Sequence, residues 1–116
     1  MNKYRRTDRV SNLIHHSVSE IIENELADSR IGMVTVTGVD IGKDLKNARV
    51  YISVLGDEKE VERSLKTLNN AAGFIRSRLG EKVVLRHIPT VRFFYDSSTV
   101  NGISIDKLFD EIKKET

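Results

Sequence analysis

The chain of 116 residues has no cysteine and a single proline, Pro89. Without thiols it forms no disulfide, no thiolate metal site and no cysteine nucleophile, a pattern that fits a reducing compartment. With one proline there is no proline-rich linker or polyproline segment. No apolar run approaches the roughly 18 residues of a membrane span. The basic start, Met1 to Asp8, is followed by no apolar signal-peptide core. The expectation is a cytoplasmic protein with no membrane partner.

Catalytic signatures are missing as well. His15 and His16 are neighbours on a helix and point about 100° apart, so they cannot form one ligand pair. His87 falls in a strand. No H-E-x-x-H spacing occurs, and no G-x-S-x-G, G-x-x-x-x-G-K-[ST] or G-x-G-x-x-G loop. Asp40 and Asp44 read as turn formers. Nothing supplies a nucleophile, a base and an oxyanion donor together. The reading is no enzyme, no metal and no cofactor.

What is present is a polarised charge. Lys3, Arg5, Arg6 and Arg9 stand against Asp8; Arg76, Arg78, Lys82, Arg86 and Arg92 stand against Glu81. Those two stretches sum to +7 against a net +2, leaving −5 for the rest. A positive face of this kind suits a polyanion; a merely solvated cluster is the alternative.

Periodicity places the elements. Val10, Leu13, Ile14, Val18, Ile21, Ile22 and Leu26 share one face of a helix from about Arg5 to Ala27. Met33 to Val39 and Ala48 to Leu55 alternate or are β-branched. They predict an antiparallel hairpin about the turn Gly42 to Asn47. Asp57 can cap a second helix, with Val61, Leu65, Leu68, Ala72, Ile75 and Leu79 as its stripe. Asn69-Asn70-Ala71-Ala72-Gly73 interrupts that stripe with poor helix formers, predicting a kink into a tandem helix that Gly80 ends. A strand region, Val83 to Tyr95, is marked by Pro89 as an edge, bulge or break. Ile105, Leu108, Phe109 and Ile112 predict a last helix over about 103–114. The sum is one domain of α+β class over 1–116, its core about 5–98. Its order is α-β-β-α-kink-α-β with a C-terminal helix, and its three-stranded sheet carries the helices on one face.

The kink carries most of the chemistry. Ala71, Ala72 and Gly73 have little bulk, so another backbone can approach. The first amides of the following helix favour phosphate, and Arg76 and Arg78 follow at once. These residues describe a phosphate clamp or, alternatively, tight helix–helix packing. Phe74, Phe93, Phe94 and Tyr95 read as core.

The element order resembles a type II KH domain, a module that clamps single-stranded nucleic acid. The G-x-x-G loop of such domains is replaced here by the A-x-G kink Ala71-Ala72-Gly73. That replacement, with Glu25-Leu26-Ala27-Asp28-Ser29-Arg30-Ile31, Val34-Thr35-Val36-Thr37-Gly38-Val39, Ala48-Arg49-Val50-Tyr51-Ile52-Ser53-Val54, Ala71 through Arg76 and Ile88 through Ser98, resembles the ribosome-binding factor A family from about Arg5 to Leu108. The resemblance implies an assembly factor on the free 30S subunit, assisting late maturation and processing of 16S ribosomal RNA near its 5′-terminal helix, most of all in the cold. It also implies action without turnover chemistry and, in some bacteria, release by a ribosome-associated GTPase. A monomer is expected, with Arg5, Arg6, Arg9, Ala71, Ala72, Gly73, Arg76, Arg78, Lys82, Arg86 and Arg92 at the RNA. A generic KH-like binder of another RNA and a protein–protein module are the competing readings.

Overall fold

The computed structural model describes residues 3–26 and 31–96, with side chains from 7 onward. The expected C-terminal helix and the side chains of Arg5 and Arg6 therefore lie outside the described residues. The elements run α1 (Lys3–Glu25), β1 (Met33–Ile41), β2 (Asn47–Leu55), α2 (Glu58–Asn70), α3 (Ala72–Lys82) and β3 (Thr90–Tyr95). The three strands form one sheet in the order β1-β2-β3. β1 and β2 pair antiparallel, whereas β3 lies parallel to β2. A parallel neighbour needs a crossover over the sheet, and the α2–α3 pair provides it.

Alternation decides which face the helices cover. Ala48, Val50, Ile52 and Val54 of β2 point inward with Val36 of β1 and with Val91 and Phe93 of β3, all buried. The helices answer with Ile14, Val18 and Ile21 from α1, Leu68 from α2, and Ile75 and Leu79 from α3, each fully buried. Burial of each such side chain is worth about 1.5–3 kcal/mol, and this single layer is the core. Among the described residues no helix is long and apolar enough to cross a membrane.

Local chemistry fixes the joints. The hairpin closes where Gly42 N–H donates to Asn47 C=O and Leu45 N–H to Gly42 C=O, with Asp44 Oδ1 accepting from Lys46 N–H. Lys46 C=O then accepts from Thr90 N–H at 2.8 Å, anchoring the start of β3 beside the turn. Between β2 and α2, Gly56 adopts φ +154°, and a Cβ there would stand 2.1 Å from Glu60 Oε2. Only glycine suits that corner. Asp57 caps α2 as its sequence position predicts, accepting from Glu60 N–H at 2.9 Å.

Three boundaries differ from the sequence reading. Gly80 does not end α3, which runs on to Lys82; burying Ile75 and Leu79 on one face offsets the roughly 1 kcal/mol cost of a helical glycine. The strand region opens with a loop, and pairing starts only at Thr90, after Pro89. β1 carries a bulge between Val36 and Gly38. His15 of α1 sits beside that bulge, its Nε2 3.0 Å from Val36 C=O. This partly satisfies an edge strand that would otherwise be open to pairing.

Candidate nucleic acid interface

The kink is confined to one residue. Ala71 joins α2 to α3 with φ −91° and ψ 4°, and its N–H reaches back to Thr67 and Leu68 carbonyls. Ile75 N–H donates to Ala71 C=O as the first bond of α3. No side chain caps α3, so its first-turn amides, Ala72, Gly73 and Phe74, have no side-chain acceptor. The positive end of the helix dipole lies there too.

The three small residues have different surroundings. Ala71 packs against the core. Ala72 lines a groove with Leu65, Asn69 and the strand residues Thr90 to Phe94, a space of about 530 Å³. Gly73 is exposed, and a Cβ added to it would meet nothing within 4 Å. Internal packing therefore does not explain Gly73, and tight helix–helix contact is excluded there as the reason for a glycine.

Asn69, another of the weak helix formers, has a bonded role. Its side-chain amide donates to Phe93 C=O at 3.1 Å, and its Oδ1 accepts from Phe93 N–H at 2.9 Å. The side chain thus stands in for a fourth strand on the outer edge of β3 and fixes one wall of the groove. Asn69→Ala should lower stability by about 1–3 kcal/mol, because it strands both groups of one residue. Urea unfolding checks this; an unchanged midpoint would mean that water replaces the amide fully.

The expected cations divide into two groups. Arg76 is exposed but folds back onto its own domain: its Nε and Nη2 donate to Ile88 C=O at 3.1 and 2.9 Å, clasping the loop before β3. Arg78 donates through Nε to Glu25 and through Nη1 to Glu81, the latter at 2.7 Å. Lys82 Nζ lies 3.3 Å from Glu25 Oε2. Arg78 and Lys82 thus fasten α3 to the end of α1, and much of their charge is neutralised there. Arg9, Arg86 and Arg92 are exposed. Arg92 stands in register beside Arg49, a like-charge placement that disfavours the sheet and suits an external anion.

Burial pushes the Glu25 carboxyl up, but hydrogen bonds from Arg78 and Lys82, with their charges, outweigh it and hold the group below its ordinary 4.5. The same bond to Glu25 raises Arg78 against an opposing desolvation. A depressed folded-state value means that the contact stabilises fully above the unfolded value. The contribution fades as pH falls from about 4.5 through the folded value. Glu25→Gln should therefore flatten the acid limb of stability below about pH 4.5 and lower stability at neutral pH. Urea midpoints from neutral pH to about pH 3 test this, and parallel curves for parent and variant would refute it.

Sequence reasoning misplaces Phe74. The sequence reading puts it in the core with Phe93, Phe94 and Tyr95; Phe93 is 2% exposed, but Phe74 is 47% exposed in the first turn of α3, and Phe94, one step along the pleat from Phe93, lies on the sheet's other face. The signal is there, since Phe74 falls off the stripe formed by Leu68, Ala72, Ile75 and Leu79. Sequence reasoning also misses Asn69 and Leu65 as groove walls. Only a known position for β3 could have found them. Among the described residues, no three His, Asp or Glu side chains gather as a metal site.

Comparisons with known proteins agree with this geometry. Residues 6–109 match the family model described as ribosome-binding factor A. A ribosome-binding factor A of Desulfitobacterium hafniense is 46% identical over 110 residues, covering 95% of this chain and 88% of that one. The crystal structure of ribosome-binding factor A from Thermus thermophilus superposes with a TM-score of 0.69 at 25% identity, over 77% of this chain and 94% of that one. A Thermus thermophilus ribosome binding factor A homology model, fitted into a cryo-electron-microscopy map of a complex with 30S, gives a TM-score of 0.65 at 24% identity, over 78% and 94% of the two chains.

Proposed function

The chain belongs to the ribosome-binding factor A family, and from that premise we propose that it binds the free 30S subunit or its precursor and assists late maturation of 16S ribosomal RNA. Processing near the 5′-terminal helix, with the greatest need in the cold, is the task this reading assigns. The protein acts as a cytoplasmic monomer, by binding alone and without turnover chemistry, and a ribosome-associated GTPase releases it.

The observation that carries the reading is the uncapped start of α3, with an exposed Gly73 beside the groove along β3. A phosphate of unpaired RNA sits on the amides of Ala72, Gly73 and Phe74. Gly73 lets the sugar–phosphate backbone come close. Phe74 offers an aromatic face to a neighbouring base. Arg86 and Arg92 hold adjacent phosphates, with Arg5, Arg6 and Arg9 extending the contact along α1. Arg76, Arg78 and Lys82 act mainly by keeping α3 and the loop before β3 in place. Binding of this kind holds an unpaired strand and so biases RNA folding, which needs no covalent step.

Sucrose-gradient sedimentation in low salt tests the proposal. The protein should travel with free small subunits and their precursors, and little with assembled ribosomes. Equal binding to short unrelated RNAs would favour the generic KH-like reading, and a protein left at the top of the gradient would refute both.

A further inference from the structure

The sheet has a second face that none of the described helices covers. Its outward residues are Arg49 and Tyr51 of β2 and Arg92 and Phe94 of β3, in register side by side. The Tyr51 and Phe94 rings lie 6.2 Å apart, tilted by 38°. Met33 and Leu55, paired at one end of the hairpin, are each 73% exposed. By the same alternation Asp96 follows Arg92 and Phe94 onto this face. Its carboxylate accepts from Thr37 Oγ1 at 2.7 Å across the middle strand, and its N–H donates to Ile52 C=O. Yet Asp96 is only 6% exposed.

We propose that this face is the seat of the chain's own C-terminal segment, laid across β2 and β3 as an amphipathic helix over about residues 104–114. Several observations favour it as occupant. The chain leaves the sheet at Asp96, on this face. Residues 97–103 can span about 23 Å, enough to turn at Gly102 and come back. Ile105, Leu108, Phe109 and Ile112 make one apolar stripe about 12 Å long, which fits the aromatic pair. Glu111, on one margin of the stripe, adds a carboxylate on the side of Arg49. A buried Asp96 on a face without a described helix is the expected result of such a cover. The inference shares Arg92 with the RNA reading but otherwise rests on the face opposite the helices.

The absence of cysteine makes the test clean. Lys113→Cys in the full chain takes a nitroxide label, and amide intensities are read by NMR. The expected result is strong broadening at Arg49 to Ser53 and Arg92 to Phe94, and much weaker broadening in α1 and α2. Leu108→Ser with Phe109→Ser should abolish that pattern while the amide spectrum of the helices and sheet stays intact. Uniform broadening, or strongest broadening on the helical side, overturns the proposal. So does broadening that appears only between a labelled chain and a separate isotope-enriched copy, which would make the occupant a second protomer. A face that shows no broadening but shifts when a short oligouridylate is added would be a nucleic-acid surface, and overturns it too.

Discussion

Gly73→Val should fold like the parent and fail to travel with small ribosomal subunits. Two facts separate the effects. Space around Gly73 is open within the protein, and valine is a better helix former than glycine by a few tenths of a kcal/mol, so stability holds or rises slightly. The isopropyl group, however, would stand over the free amides of α3's first turn and keep a phosphate at a distance. A loss of at least about tenfold in affinity, roughly 1.4 kcal/mol, is expected, with Gly73→Ala in between. Thermal unfolding and gradient sedimentation of the same preparations decide it. If the valine variant melts normally and still binds normally, the kink is not the clamp, although the family membership is unaffected.

The second large effect is expected from Arg86→Glu combined with Arg92→Glu. Both side chains are exposed, so stability should move by no more than about 0.5 kcal/mol. An acid in place of Arg92 would even complement the charge of Arg49, its in-register neighbour. Affinity for the subunit should fall about a hundredfold at low salt, or about 2.7 kcal/mol. The salt dependence should also flatten, since each phosphate contact on a single strand contributes about 0.7 to the slope and two are lost. An unchanged slope would place the RNA elsewhere. Reversing Arg76 or Arg78 is a poorer probe. Each is bonded within the fold, to Ile88 C=O and to Glu25 respectively, so loss of binding there would report instability as readily as lost contact.

The difference between those two pairs of arginines shows where sequence reading stops. All four lie in one basic stretch and look alike along the chain. Arg78 meets Glu25 across 53 positions, and Arg76 meets a carbonyl 12 positions away. Neither contact leaves a local pattern. Phe74, by contrast, is legible in principle, because its angle on the helix stripe already places it outside the core.

By itself the sequence determined the order of the described helices and strands, the single kink and the capped start of α2. These follow from period, propensity and residue type, which act over a few neighbouring positions. Tertiary structure alone decided that β3 lies parallel to β2, that Asn69 closes its outer edge, that a groove opens beside Ala72, and which cations are bonded within the fold. Those outcomes depend on the crossover and register that bring distant segments together, and burial of the shared core fixes both.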